Sequence, residues 1–402
     1  MATSADKNRS ASRQGDWQQV KPPGEVGQDG TMKAEEGAYA MTAALRARQA
    51  LVLITVVALI TGCSSSEPQA PAAPPVVPGI QLPVFEKSCA PQPGPPSVVP
   101  IRIVRRVEIV ANVCIGGEGP FPFLVDTGGS TTLVDSSLAA QLHLALVDGP
   151  RTVTSFTCKR QISFATVSRW SVGNTTLLPQ TVEVGTAQSP VLPNLDGILG
   201  SDTLSSFGAV RIDYQQQTLT LGPQSAPLRS DVAGGSGPPS VSASLTEGTS
   251  LASPMPVKVV TELLFPDHLQ LTEVRPTVDL SFGPNRFTLT LDTGAGTTNL
   301  DPSVVKMLRL APAGAPGAAY AGLDCPVVVN HYTMGPALLG KLQLPAQTVG
   351  SNFVPPGTVG VFGSGTLINY NPVLVDYTDG ELFLGQGKQA QSGPSERPIS
   401  SG

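Results

Sequence analysis

The sequence predicts a mostly β protein with two pseudo-symmetric lobes in one chain, because it carries one long internal repeat. The triplet Asp-Thr-Gly occurs at residues 126–128 and again at residues 292–294, each time after an apolar run. Three further landmarks follow each triplet in the same order: Gly-apolar-apolar-Gly at 197–200 and 360–363, apolar-Asp-Tyr at 212–214 and 375–377, and Leu-x-Leu-Gly at 219–222 and 382–385. The repeat, measured from Asp126 to Asp292, is too long for a solenoid unit, so we predict that each copy is a whole lobe.

Short β-rich runs separated by turn signals support this fold class. In the first copy, strands are predicted at 101–104 and 107–110, and the glycine cluster at 116–120 is a turn that leads a strand into Asp126. The second copy repeats this order of strand, turn and strand at 277–280, 283–285 and 287–289.

Four other aspartates are predicted to have structural roles. Asp135 and Asp301 stand where short helices should begin, and a proline at the first helical position follows Asp301. Asp213 and Asp376 fall at strand ends, where a carboxylate commonly holds a turn.

The chain is predicted to divide into six segments. These are a polar N terminus with a lipoprotein signal peptide (1–63), a Pro-rich tether (64–100), the first lobe (101–222), a Gly/Ser/Pro-rich linker (223–255), the second lobe (256–387) and a disordered tail (388–402). The tether is dense in prolines, among them Pro74-Pro75 and Pro95-Pro96, which favours an extended segment without a core of its own.

Composition and motifs argue against several classes of function. The net charge of −5 provides no basic surface for nucleic acid. His143, His268 and His331 lack the spacing of a zinc site, and no phosphate-binding or dinucleotide-binding glycine motif occurs in the sequence. We therefore expect no cofactor, no metal and no nucleic-acid partner.

Residues 42–63 are predicted to be the lipoprotein signal. Two arginines precede the apolar stretch at 51–60, which is shorter than the roughly 20 residues of a spanning helix. The segment Ile60-Thr61-Gly62-Cys63 resembles a lipobox, so Cys63 is the expected lipidation site; a short uncleaved anchor is the alternative. Ser64, where an Asp would signal inner-membrane retention, points to the outer membrane of a bacterial cell envelope, facing the periplasm. Residues 1–40 are polar, which makes Met41 an alternative start.

The two identical turns predict a paired carboxylate site at Asp126 and Asp292. Peptide hydrolysis without a metal needs a base to activate water and an acid to protonate the leaving nitrogen. Two carboxylates that share one proton supply both, because like charges a few ångströms apart cannot both ionise. The glycine after each Asp-Thr lets backbone N–H groups approach the carboxylates.

These motifs resemble those of the retropepsin-like aspartic proteases, in a bacterial, lipoprotein-type form with two lobes in one polypeptide. The resemblance covers about residues 101–222 and 256–385. It implies a retropepsin- or pepsin-like acid-protease fold and an aspartic endopeptidase, a hydrolase in which the Asp126/Asp292 dyad activates water. The implied partner is a peptide or protein substrate, and the implied state is a monomer.

The resemblance also assigns residues that support the catalytic turns. Thr127 and Thr293 would each bond the opposite turn and hold the dyad coplanar, and Gly128 and Gly294 would complete the two turns. The downstream glycine elements would pack beside them.

Three residues depart from the pattern of this family. Gly129 stands where Ala or Ser is usual. Phe156 and Tyr320 lie near the place of a flap tyrosine but out of register, since their distances along the chain from Asp126 and Asp292 differ from each other. With no flap tyrosine in register, the sequence does not indicate which peptide bonds the protein would cleave.

The cysteines allow more than one pairing. Apart from Cys63, an exported chain would carry Cys89, Cys114, Cys158 and Cys325, which permit three connectivities. Cys158 and Cys325 follow their aspartates at nearly the same distance along the chain, so they are equivalent positions in the two copies. The resemblance places these positions on flap hairpins over the dyad, where a disulfide between them would gate the cleft; the alternative is that each pairs elsewhere, with Cys89 or Cys114.

Two alternatives to the endopeptidase remain at this point. A catalytically weak, peptide-binding lipoprotein would retain the protease fold, and an active enzyme could instead pair lobes between chains. Intact triplets in both copies disfavour the first. The linker at 223–255 is long enough to span a lobe and so permits pairing within one chain.

We predict that the mature protein begins at a lipidated Cys63, because a charged segment, an apolar stretch and small residues precede it. Mass spectrometry of the membrane fraction should find a diacylglyceryl group on Cys63, and a Cys63→Ser variant should accumulate unprocessed. An unmodified Cys63 in the membrane fraction would contradict the lipoprotein assignment.

Overall fold

The computed structural model describes residues 89, 95, 97–155, 158–223, 253–264, 271–321, 325–351, 354 and 357–385, all within one compact unit that spans 74–402. The predicted signal with Cys63, nearly all of the tether and linker, and the tail lie outside the described residues. The fold is mostly β, as predicted. Among the described residues, no helix is long and apolar enough to span a membrane.

The first half of the described chain contains twelve strands and two short helices, with a 3₁₀ turn at Ser205–Phe207. The strands and helices are β1 (Val98–Val104), β2 (Glu108–Ile115), β3 (Glu118–Val125), β4 (Leu133–Asp135), α1 (Ser136–Gln141), β5 (Leu146–Ser155), β6 (Cys158–Val167), β7 (Trp170–Val172), β8 (Thr175–Thr176), β9 (Gln180–Gly185), β10 (Gly197–Leu199), α2 (Ser201–Leu204), β11 (Ala209–Asp213) and β12 (Thr218–Leu221).

The second half contains thirteen strands and two helices among its described residues. These are β13 (Met255–Leu264), β14 (Leu271–Phe282), β15 (Asn285–Asp292), β16 (Asn299–Leu300), α3 (Pro302–Leu308), β17 (Ala311–Pro312), β18 (Gly317–Ala321), β19 (Cys325–Met334), β20 (Ala337–Leu339), β21 (Leu342–Leu344), β22 (Gln347–Ser351), β23 (Gly360–Gly363), α4 (Ser364–Leu367), β24 (Val373–Asp376) and β25 (Glu381–Leu384).

The two halves share one pairing scheme, which matches the repeat in the sequence. In the first half β3 pairs antiparallel with β2 and parallel with β10, and β4 pairs parallel with β9. In the second half β15 pairs in the same way with β14 and β23, and β16 pairs parallel with β22. Each Asp-Thr-Gly turn therefore follows a strand that is held on both sides.

One six-stranded antiparallel sheet joins the two halves, and we call it the interlobe sheet. Its strand order is β1–β12–β11–β24–β25–β13. At its centre Arg211 of β11 faces Leu374 of β24, and these residues occupy equivalent positions, two before Asp213 and Asp376. Equivalent residues that face each other lie on the pseudo-twofold axis relating the halves.

Strands start slightly earlier than the predicted lobe boundaries. Val98 to Pro100, assigned to the tether from their proline-rich context, pair with Thr218 to Thr220 in β12, because this pairing satisfies backbone groups that would otherwise border the interlobe sheet. Met255, placed at the end of the linker, likewise pairs with Leu382. The tether is also fastened to β2 by a disulfide between Cys89 and Cys114.

The helix and turn aspartates have the structural roles expected of them. Asp135 accepts a hydrogen bond from the Ser137 N–H at 2.9 Å and caps α1, and Asp301 accepts one from the Ser303 N–H at 2.8 Å and caps α3. Asp213 and Asp376 each accept two backbone N–H bonds from the turn that follows their strand.

A continuous apolar core runs through both halves and holds the two Asp-Thr-Gly turns in position. Its largest fully buried side chains include Phe123 beside the first turn and Phe362 beside the second. Burying a side chain of this size contributes roughly 1.5–3 kcal/mol. The strands that end at the two turns are therefore anchored in one packed body.

Candidate active site

The two Asp-Thr-Gly turns lie against each other and are bonded reciprocally. The Thr127 hydroxyl donates to the Leu291 carbonyl at 2.8 Å, and the Thr293 hydroxyl donates to the Val125 carbonyl at 2.8 Å. Each hydroxyl also accepts a bond from the opposite threonine N–H, at 3.0 Å in both directions. Both threonines are fully buried. These four bonds fix the relative position of the two turns.

The glycine-containing strands β10 and β23 support the turns from behind. The Asp126 N–H donates to the Leu199 carbonyl at 3.0 Å, which continues the parallel pairing of β3 with β10. A Cβ on Gly200 would lie 2.5 Å from the Thr131 carbonyl carbon, and one on Gly363 would lie 2.6 Å from that of Thr297. Only glycine allows the chain to pass this close to the turns.

The carboxyl groups of Asp126 and Asp292 meet between the two turns and are hydrogen-bonded to each other. The Asp126 Oδ1 atom accepts bonds from the Gly128 N–H at 2.8 Å and the Gly294 N–H at 3.2 Å. The Asp292 Oδ1 atom accepts one from the Ala295 N–H at 2.7 Å. The Asp126 carboxyl is thus bonded to both turns, and the Asp292 carboxyl is bonded to its own turn and to Asp126.

Glycine is required at the third position of each triplet by this close approach. A Cβ on Gly128 would lie 2.6 Å from both carboxyl oxygens of Asp292, and one on Gly294 would lie 2.6 Å from Asp126 Oδ2. Gly129 has more room, since a Cβ there would lie 3.2 Å from the Asp126 carboxyl. Its departure from the family pattern leaves the contacts of the dyad intact.

The two carboxyls have different electrostatic environments. Burial raises the pKa of Asp126, while N–H bonds from Gly129, Gly128 and Gly294 oppose that shift. Burial also raises the pKa of Asp292, and the negative charge of Asp126 raises it further, to well above its ordinary value. A pair of this kind retains one proton through a range of pH in which isolated carboxyls are ionised.

Behind the dyad, a serine in each half connects the turn of its own half to a tyrosine of the other half. The Ser201 hydroxyl donates to the Thr127 carbonyl at 2.7 Å, and the Ser364 hydroxyl donates to the Thr293 carbonyl at 2.8 Å. Each serine also meets a tyrosine from the other half. The distance between hydroxyl oxygens is 3.0 Å from Ser201 to Tyr377 and 3.4 Å from Ser364 to Tyr214. The tyrosines follow strands of the interlobe sheet, so they link that sheet to the catalytic turns.

These serines and tyrosines have roles that sequence reasoning missed, although both belong to repeated landmarks. The serine follows the glycine element in each copy, and the tyrosine ends each apolar-Asp-Tyr element. The repetition marked the positions as important without indicating that each tyrosine crosses to the opposite half.

Behind the turns, the first half contains a carboxylate that the second half lacks. The Thr132 hydroxyl lies 2.6 Å from Asp202 Oδ1, and Asp202 also accepts the Thr203 N–H at 2.7 Å. Burial raises the pKa of Asp202 to about 6. The equivalent residue of the second half is Gly365, where a Cβ would lie 2.6 Å from the Gly296 carbonyl oxygen. The close packing there excludes a side chain.

The predicted flap cysteines are bonded to each other. Cys158 begins β6 and Cys325 begins β19, and a disulfide joins them with their Cα atoms 5.9 Å apart. Phe156, one of the residues near the place of a flap tyrosine, lies outside the described residues. Tyr320 pairs with Pro326 near the tip of the β18–β19 hairpin and is partly buried.

The histidines are not assembled into a site in the described part of the chain. His143 follows α1, and His331 lies in β19 of the other half; His268 is outside the described residues. Within the residues that the structure describes, no group of three or more His, Cys, Asp or Glu side chains is arranged to hold a metal ion.

The family described as aspartyl protease matches residues 111–203, a stretch that contains the first Asp-Thr-Gly turn and the glycine element beside it. A search of curated proteins finds no match. The family match supports an aspartyl protease family and a protease-like function for this chain.

Because the folded-state pKa of Asp202 is raised to about 6 from 3.8, its ionisation is disfavoured in the folded protein. The associated stability is fully present below the unfolded-state pKa and is lost as the pH rises through about 6. We predict that Asp202→Asn removes this loss and stabilises the protein above that pH by up to roughly 3 kcal/mol, since a pKa difference of one corresponds to about 1.4 kcal/mol.

Urea denaturation of both proteins from acid to neutral pH measures the effect. Below the pKa of an unperturbed aspartate both side chains are neutral, so the two proteins should be about equally stable there, which provides the internal control. Parallel curves of unfolding free energy against pH would contradict the prediction.

Proposed function

We propose that this protein is an aspartic endopeptidase that hydrolyses peptide bonds with a water activated by Asp126 and Asp292. The observation that carries the proposal is the contact between the two carboxyls, held by reciprocal threonine bonds within one chain. An aspartyl protease family match over the first turn supports the same chemistry. No cofactor is needed, because the two carboxyls can act as base and acid in turn.

The environments of the two carboxyls suggest how the proton is shared. Asp126 Oδ1 accepts N–H bonds from both turns, whereas Asp292 Oδ1 accepts one from its own turn, so we assign the proton at the start of the cycle to Asp292. Asp126 accepts more backbone N–H bonds and holds the negative charge. A water between them is then deprotonated by Asp126 as it attacks the scissile carbonyl, while Asp292 donates its proton to the carbonyl oxygen.

The second half of the reaction returns the dyad to its starting state. Asp126, now protonated, gives its proton to the amide nitrogen, which leaves as an amine when the C–N bond breaks. Asp292 recovers a proton from the tetrahedral diol as the carbonyl re-forms. Fixed turns suit this exchange, since proton transfer needs heavy atoms within hydrogen-bond reach throughout.

One chain supplies both turns in this proposal, which favours an active monomer over pairing between chains. The four threonine bonds and the interlobe sheet both connect the first half to the second half of the same polypeptide. With the signal predicted at 42–63, we place the enzyme in a bacterial cell envelope, lipid-anchored at Cys63 in the outer membrane and facing the periplasm, where it acts on peptides or proteins.

The competing function is a catalytically weak peptide-binding lipoprotein of the same fold. The contact between the carboxyls favours catalysis, because a binding module has no use for a partly buried pair of acids with raised pKa values. The two functions differ in one measurable respect, which is turnover.

We predict that Asp126→Asn and Asp292→Asn each lower kcat by at least about 10²–10⁴-fold, the usual contribution of a positioned acid or base. A peptide library assayed from acid to neutral pH should show cleavage by the wild type with a bell-shaped profile. The activity should persist above the pKa of an ordinary carboxyl, because both pKa values of the dyad are raised, and should fall at higher pH when both groups ionise.

Asp379→Asn is a matched control, since it makes the same change at an exposed turn between β24 and β25. Circular dichroism should show all three variants folded. Wild-type activity in either dyad variant would refute the mechanism, whereas saturable peptide binding by the wild type without cleavage at any pH would establish the binding module instead.

A further inference from the structure

Two hairpins extend beyond the third strand that pairs with them, one in each half, and we call these two-stranded ends the arms. The first arm consists of the five residue pairs from Arg151↔Ile162 to Ser155↔Cys158. The second consists of the five pairs from Gly317↔Val329 to Ala321↔Cys325. Strands β9 and β22 pair with β6 and β19 only from Ser163 and Asn330 onward, so the arms are two-stranded. Five pairs correspond to a length of about 16 Å.

The disulfide between the arms lies on the pseudo-twofold axis. Cys158 and Cys325 occupy equivalent positions in the two hairpins, each forming the first pair after the hairpin tip. Equivalent residues that are bonded to each other must lie on the axis. The threonine bonds between the catalytic turns lie on the same axis, as does the centre of the interlobe sheet.

The strand pair β13–β14 shows on which side of the dyad the arms lie. One end of this pair joins the interlobe sheet, where Met255 faces Leu382. Further along, the Val274 N–H donates to the Ser130 carbonyl at 3.0 Å, beside the first catalytic turn. At the far end, Leu271 packs in one cluster with side chains of β6. The catalytic turns therefore lie between the interlobe sheet and the arms.

From this order we propose that the Cys158–Cys325 bridge closes the substrate cleft into a tunnel, so that the oxidised enzyme admits only chains that enter by a free end. The tunnel has the dyad turns as its floor, the two halves as its walls and the bonded arms as its roof. The inference rests on the proposed peptidase function and names its substrate class: linear peptides and unfolded chain ends, in preference to cyclic peptides and loops of folded proteins.

Reduction opens the roof. A dithiol supplies two electrons and two protons, each cysteine becomes a thiol, and the reductant closes to its own disulfide. The arms are then joined only by non-covalent contacts, so they can separate and a chain without a free end can enter from above. The disulfide between Cys89 and Cys114 lies on β2 and should have no such effect.

The decisive substrates are two peptides of one sequence, one linear and one cyclised head to tail. Their sequence contains the bond cleaved fastest in the library assay or, where no peptide is cleaved, is that of the library peptide that binds most tightly. A ring can enter a closed tunnel only as two strands side by side, which need about 4.8 Å more width than one strand. An open cleft accepts one side of the ring as it accepts the linear chain.

Oxidised wild type should cleave the linear peptide, and its kcat/KM for the cyclic peptide should be at least about tenfold lower. This ratio of kcat/KM values measures how much the closed roof hinders the ring. Cys158→Ser/Cys325→Ser, and the wild type treated with dithiothreitol, should remove most of that difference. Cys89→Ser/Cys114→Ser is the matched control and should behave as oxidised wild type. Cyclic and linear peptides cleaved equally by the oxidised wild type would overturn the tunnel.

Two further measurements separate this inference from the proposed function. Non-reducing peptide mapping must find Cys158 bonded to Cys325, and another pairing would overturn the tunnel whatever the activity.

Binding of both peptides to an oxidised Asp126→Asn variant, measured by fluorescence anisotropy, tests access to the cleft without cleavage. If the linear peptide binds and the ring does not until the bridge is reduced, the tunnel is supported even where turnover is absent. Equal binding of both peptides to the oxidised variant would overturn it, and a failure of every form to cleave any peptide would overturn only the peptidase assignment.

Discussion

The reciprocal bonding of Thr127 and Thr293 is the interaction on which the rest of the site depends. Each side chain reaches across to the opposite turn, so neither turn can shift without breaking bonds on both sides. Because both threonines are buried, a lost partner would leave a polar group without water, and that costs about 1–3 kcal/mol for each group. The position of the two carboxyls follows from this fixed contact.

The contact also explains why so many small residues surround the dyad. Two backbone turns that meet this closely leave no volume for side chains at Gly128 and Gly294, and the strands behind them can approach only at Gly200 and Gly363. The carboxyls are consequently surrounded by backbone N–H groups rather than by cations. The site is partly desolvated, and this burial raises the pKa of both carboxyls.

Two turns in one chain can diverge where two identical chains could not, and this protein has diverged behind its dyad. Asp202 in the first half has Gly365 as its counterpart, and the Ser130 hydroxyl, which bonds Glu273 at 2.9 Å, has its counterpart in Gly296. The dyad is therefore flanked by closely similar backbone turns and by different charges.

The sequence by itself determined the class of fold, the position of both Asp-Thr-Gly turns and the helix caps at Asp135 and Asp301, since each depends on a local pattern or on the repeat. The family resemblance, rather than the repeat itself, led us to expect that the glycine elements lie beside the turns. Tertiary structure alone decided that Tyr214 and Tyr377 cross to the opposite half, that Asp202 lies partly buried behind the first turn, and that β1 begins at Val98. It also selected Cys158–Cys325 and Cys89–Cys114 from three connectivities. These features depend on which distant segments meet in space, and a local pattern carries no information about such contacts.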